Sequence, residues 1–131
     1  MRRQHQVAGL ILALGLTAAG SAMASEAVRQ LLQQYRQQGI ETFDADAGAA
    51  FWQQTFDGRS CASCHTSDPE AVGRHQRTGK PIEPMAPSVN PQRLTDVKQM
   101  NKWFYRNCNW TLGRECSAQE KGNLLIWLQQ R

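Results

Sequence analysis

Apolar and polar positions alternate along the chain with the spacing of helices. From Ser25 to Gln38, Val28, Leu31, Leu32 and Tyr35 fall on one helical face, and Gly39 supplies a stop. A second such stretch begins near Asp46, with Ala47, Ala50, Phe51 and Trp52 as its inward face, and closes before the turn signal Asp57-Gly58. Periodicity then disappears between Thr66 and Pro91, a stretch that holds all five prolines and reads as a long ordered loop. Loops of this length are uncommon in compact domains unless they have a task, and wrapping a cofactor is one. From Thr95 the run VKQMNKWFYRN restores helical spacing, with Val97, Met100, Trp103 and Phe104 on the inward side. Asn109 to Ser117 reads as a loop between Cys108 and Cys116. Ser117 and Glu120 then form a capping box ahead of a last helix carrying Leu124, Leu125, Ile126, Trp127 and Leu128. With no strand pattern and no internal repeat, the expected fold class is all-α.

The residues before Ser25 obey a different rule. Arg2 and Arg3 open the chain, an Ala-, Leu- and Gly-rich run extends from Val7 to Gly20, and Ala22-Met23-Ala24 forms a small-residue cleavage signal. This is the layout of a secretory signal peptide, too short in its apolar part for a membrane span. The expected organisation is a signal peptide over 1–24 and one domain over 25–131. A domain this small buries only a modest share of its unfolded surface, so a cofactor or a crosslink would help to hold it. The formal charge of +4 falls to +2 once Arg2 and Arg3 are removed, which makes no case for nucleic-acid binding.

The chemistry is concentrated in Cys61-Ala62-Ser63-Cys64-His65. A redox thiol pair of this spacing normally follows a strand in a βαβ unit, and none is expected. A zinc site would have to add Cys108 and Cys116, whose spacing is not that of a short knuckle. A covalent haem uses the whole pentapeptide: Cys61 and Cys64 suit thioether bonds to the two vinyl groups, and His65 is placed to ligate the iron from one side. Haem c is therefore the expected cofactor, in an exported all-α cytochrome c-like domain with an extra N-terminal helix. The two haem propionates would cancel the remaining positive charge.

The opposite axial position separates an electron carrier from a gas-binding protein. Once His5 leaves with the signal peptide, the only spare histidine is His75, in a Gly- and Arg-rich stretch suited to solvent. Met85 lies in Pro84-Met85-Ala86-Pro87, a proline-bounded setting that suits either an axial thioether or a packing methionine. Spacing alone does not choose. Arg77 and Lys80 are candidates to pair with haem propionates.

The segments CASCHTSDPEAVG, RTGKPIEPMAPSVNPQRLTD, RNCN and GRECSAQEKGNLLIWL together resemble the SHP family of small monohaem c-type cytochromes and its relative cytochrome c''. The resemblance covers the chain from about Gly48 to its end and implies a class I cytochrome c-like helical fold. It also implies that Asn107, just before Cys108, is the distal ligand, where SHP proteins carry asparagine and cytochrome c'' histidine. Cys108 and Cys116 are then implied to form a disulfide, of a loop size worth about 2–3 kcal/mol. The CASCHT-x-x-P-x-x-VG segment is nearer the cytochrome c'' branch, and the family usually carries an apolar residue at Met85.

The family's behaviour implies that Asn107 binds oxidised iron and leaves on reduction, freeing a place for oxygen or nitric oxide. A carboxamide oxygen is a hard, weak donor, better matched to ferric than to ferrous iron. The implied partners are a dihaem cytochrome c and a membrane cytochrome b. The rival expectations are an electron shuttle with permanent His65/Met85 ligation and a small-molecule oxidase, peroxidase or reductase. For the last, no committed acid-base group is visible.

Overall fold

The computed structural model describes residues 25–131. The expected signal peptide over 1–24 lies outside them. Their order is α1 (Glu26–Gln37), α2 (Ala45–Gln53), α3 (Ala62–His65), β1 (Gly73–Arg74), β2 (Pro81–Ile82), α4 (Val97–Leu112) and α5 (Ala118–Leu128).

α1 forms as its pattern predicts, with Ala27, Val28, Leu31, Leu32 and Tyr35 buried. The Ser25 hydroxyl caps it by accepting from the Val28 N–H at 3.1 Å, and it donates to the Leu94 carbonyl, tying the helix start to the chain just before α4. α2 begins at Asp44, whose carboxylate accepts from the N–H groups of Asp46 and Ala47. Its buried face is Gly48, Phe51 and Trp52, while Ala50 is exposed. The expected inward face was therefore rotated towards the glycine. At Gly48 the backbone of α2 lies so close to α5 that a Cβ would come within 2.2 Å of the Asn123 carbonyl oxygen. Two helices can cross at that distance only where one has no side chain.

One cluster of buried side chains runs from Ala27 to Leu128, drawing on α1, α2, α4 and α5. Leu31, Leu125 and Val28 are its largest fully buried apolar members, each contributing about 1.5–3 kcal/mol by transfer from water.

Three features depart from the pattern. The segment 66–91 contains a two-stranded antiparallel pair, Gly73 opposite Ile82 and Arg74 opposite Pro81. So short a pair has no alternation to read. α4 continues through Asn109 to Leu112 and stops where Gly113 takes φ 72° and its N–H bonds to the Asn109 carbonyl, so the expected loop before Ser117 shrinks to a few residues. Trp103 is 46% exposed, although Met100 is buried as expected and Val97 and Phe104 are partly so.

The capping box of α5 is complete: the Ser117 hydroxyl accepts from the Glu120 N–H at 3.1 Å, and the Glu120 carboxylate accepts from the Ser117 N–H at 2.8 Å. Arg114 adds a two-pronged bond to Glu120 at 2.8 and 2.9 Å and, with the N–H of Ser117, holds that carboxyl below its ordinary range. A carboxyl depressed in the folded state stabilises above its unfolded pKa and loses that contribution as pH falls through the folded one. Glu120→Gln is expected to cost about 0.5–1 kcal/mol at neutral pH, allowing for solvent screening. It should also flatten the acid side of the stability curve below about pH 4.3, as read by denaturant unfolding across pH.

Candidate haem-iron centre

The pentapeptide is a single helical turn, closed by the His65 N–H to the Cys61 carbonyl at 3.1 Å. Ser60 and Ser63 brace its start reciprocally, each backbone N–H donating to the other's hydroxyl at 2.9 and 3.1 Å. Thr66 then adopts φ 64°, a region costly for a β-branched residue, and the chain turns sharply after His65. The Trp52 indole N–H donates to the Thr66 carbonyl at 2.8 Å and helps to hold that turn. The Trp52 ring lies between His65, at 5.5 Å, and Trp127 of α5, at 5.4 Å.

From the other side, Gly73 presses on the turn. A Cβ there would meet the Cys64 carbonyl oxygen at 2.2 Å and the His65 Cα at 2.9 Å. Pro69, buried, accepts at its carbonyl from the N–H groups of Met85 and Ala86 at 2.8 and 3.0 Å, which ties the Met85 loop to the chain just beyond His65.

The electrostatics favour a neutral imidazole. Burial, with the nearby Arg93 cation, pushes His65 down to about 4, so at neutral pH it carries one N–H and one lone pair. Its Nδ1 is buried and has no hydrogen-bond partner among the described residues. Burial pushes the Cys61 thiol up to about 11, the reverse of the depressed value that a reactive redox thiol needs. Cys108 and Cys116 are joined in a disulfide with their Cα atoms 5.5 Å apart, which removes them from any four-cysteine zinc site. Two free cysteines, a neutral imidazole and a backbone cradle that admits no Cβ fit a covalently held haem.

His75 stands exposed at the mouth of the β1–β2 turn, its Nδ1 accepting from the N–H groups of Arg77 and Thr78 at 3.3 and 3.2 Å. Arg77 and Lys80 are exposed in the same turn. Arg93, which pattern reading passed over, is half-buried and donates to the carbonyls of Pro84 and Glu83 at 2.9 and 2.8 Å. No local signal singles it out, because its importance comes from the fold bringing its charge near His65. Clefts of about 300 and 220 Å3 open elsewhere on the surface, and neither is lined by the pentapeptide or by Asn107.

A family model described as a domain of unknown function (DUF1924) matches residues 38–128. The cytochrome c-type protein SHP of Cereibacter sphaeroides is 40% identical over 123 residues, which cover 89% of this chain and 95% of that protein. The chain belongs to the SHP family of monohaem c-type cytochromes.

Two solved structures share the family's fold. Oxidised SHP, described as an oxygen-binding cytochrome c, superposes with a TM-score of 0.73 at 39% identity, covering 79% of this chain and 96% of that one. The solution structure of Methylophilus methylotrophus cytochrome c'', determined for insight into its haem-ligand detachment, gives a TM-score of 0.67 at 32% identity, covering 79% and 93%. As in its SHP-family relatives, the cofactor is haem c, and Cys61 and Cys64 are placed for its attachment. No helix of the described residues is long and apolar enough to cross a membrane.

Gly73→Ala is expected to force the 73–74 strand off the pentapeptide, costing about 1–3 kcal/mol, the usual range for overpacking. Haem incorporation per polypeptide, read from the absorbance ratio of haem to protein, should fall with it.

Proposed function

We propose that this protein is a periplasmic electron-transfer cytochrome, a single domain over 25–131 after removal of residues 1–24. His65 is its permanent axial ligand, and Asn107 is a second ligand bound only in the oxidised state. When bound, the haem would supply a one-electron iron centre. His65 would hold the iron through a neutral imidazole that packs against Trp52 in buried surroundings. Asn107 would offer a carboxamide oxygen that suits ferric iron better than ferrous, so its hold would weaken on reduction and leave room for a small diatomic such as oxygen or nitric oxide.

The observation that carries this reading is the contrast between two asparagines of α4. Asn109 makes the backbone bond expected of a helical asparagine, its Nδ2 donating to the Tyr105 carbonyl at 2.7 Å. The Asn107 side chain forms no hydrogen bond within the described residues. It shares a helical stripe with Trp103 and Trp110, respectively 46% and 42% exposed, and with buried Met100 and Thr111. An unbonded carboxamide between two partly exposed indoles suits a face that lies against a flat apolar cofactor. The adjoining Cys108–Cys116 disulfide ties this part of α4 to the start of α5 and stiffens the backbone that presents it.

Met85 fits a packing role better. Its backbone is bonded to Pro69, four residues beyond His65, and its side chain rests partly buried against the main core. The diatomic-binding reading also draws on the relative described as oxygen-binding. Redox partners such as a dihaem cytochrome c and a membrane cytochrome b follow from the family resemblance.

The test is the visible spectrum of the haem-loaded protein, oxidised and reduced, with and without carbon monoxide. The expected result is a six-coordinate ferric form and a high-spin ferrous form that takes up carbon monoxide readily. Asn107→Ala should make the ferric form high-spin, whereas Met85→Leu should leave both spectra unchanged. A methionine-iron charge-transfer band that Met85→Leu abolishes would replace this reading with that of a permanent His65/Met85 shuttle. Cys116→Ser should broaden the ferric spectrum if the disulfide positions Asn107, and leave it unaltered if the bond only contributes stability.

A further inference from the structure

Arg59 is another residue whose state the fold does not explain by itself. Its backbone is locked in a tight turn: the Phe56 N–H donates to its carbonyl at 2.7 Å, its own N–H donates to the Phe56 carbonyl at 3.0 Å, and Asp57 and Gly58 take φ 50° and 76° between them. Phe56 in turn packs edge-on against Phe51 of α2 at 5.7 Å, so the base of this turn is anchored in the core. Ser60, the next residue, is buried and braces the pentapeptide through Ser63. Arg59 is therefore a rigid extension of the segment to which the haem is joined.

Its side chain points to the other half of the site. The Arg59 guanidinium carbon lies 5.3 Å from the centre of the Trp110 ring on α4. Its Nε is buried without a hydrogen-bond partner, and its one ion pair, to Asp57 at 3.8 Å, reaches a carboxylate whose side chain is 97% exposed. Such a pair is too screened to hold the guanidinium in place. The stack on Trp110 is the guanidinium's other contact.

Trp110 is three residues beyond Asn107, on the same side of α4. This helix also packs on α1, shares the main core and is tied by the disulfide to the start of α5. Resting on the reading of Asn107 given above, we infer that Arg59 and Trp110 form a clasp between the haem-attachment segment and the ligand-bearing helix. The clasp sets how closely Asn107 is held to the iron. Arg59 and Trp110 are positioning residues: neither has to touch iron or diatomic, and each acts through the placement of Asn107. The family of small diatomics that the site admits is unchanged by the clasp. What it controls is the balance between the bound and released positions of the carboxamide.

The experiment measures the six-coordinate fraction of the ferric haem protein from its visible and electron paramagnetic resonance spectra, and the association rate of carbon monoxide with the ferrous form. The variants are Arg59→Met, Trp110→Leu, their combination, and Asn107→Ala as reference. Each single variant is expected to shift the ferric equilibrium towards the five-coordinate form by about threefold to tenfold, the range of a partly desolvated cation–aromatic contact. The double variant should go no further than either single one, because both remove the same contact. Arg59→Lys and Trp110→Phe, which keep a cation and a ring, should give smaller shifts in the same direction and serve if the larger changes impair folding. Wild-type ferric spectra in Arg59→Met and Trp110→Leu, beside an altered Asn107→Ala, would overturn the clasp and leave the ligand reading standing. Fully additive shifts in the double variant would also overturn it. An unaltered Asn107→Ala would overturn both.

Discussion

The close approach of Gly48 of α2 to the Asn123 carbonyl of α5 is the constraint on which the site depends. Because no Cβ intervenes, the two helices cross closely enough for Trp52 to lie against Trp127. That placement lets one indole do two tasks at the pentapeptide. Its ring backs His65, and its N–H accompanies Thr66 through a strained turn that no nearby sequence preference would favour. The second glycine contact, Gly73 on Cys64, closes the same turn from the loop side. The proximal half of the centre is thus made of backbone contacts and aromatic packing with little freedom to move.

The distal half is built differently. α4 is joined to the rest by its buried face on α1, by the disulfide at Cys108 and by the Arg59 stack on Trp110. Its side towards Asn107 is polar at the centre and aromatic at the edges, and the carboxamide there makes no hydrogen bond among the described residues. If Asn107 is the second ligand, as proposed, a change of one charge on iron would move one ligand and spare the other, because a hard, weakly bound donor is sensitive to oxidation state by its own chemistry.

The electrostatic setting works in the same direction on the proximal side. Burial and the Arg93 cation both disfavour a protonated His65, so its imidazole stays neutral over the whole neutral range, as the proposed iron ligand would need. Arg93 is itself held by the carbonyls of Glu83 and Pro84, so the proline-rich loop that wraps the site also fixes the charge that tunes it. This gives the long segment a role that its composition alone does not reveal. The loop supplies backbone acceptors, a buried proline and a tethered methionine in place of a periodic face.

Much of this was legible in the chain. The helical spacing of Val28, Leu31, Leu32 and Tyr35, the capping box at Ser117 and Glu120, and the CASCH pentapeptide are local codes, read over a few residues, and they determine an all-α haem c protein before any coordinates are known. The match to the SHP family extends that to Asn107 as a candidate and to the Cys108–Cys116 pair. What only the tertiary structure decided is non-local: that Ala50 of α2 faces outward, that α4 runs on to Leu112, and that the residue bonding back to its own helix is Asn109. The same holds for Arg59 and Arg93, which meet Trp110 and His65 across many residues of chain. Their significance arises from desolvation and from distances between segments, and neither quantity exists until the chain has folded.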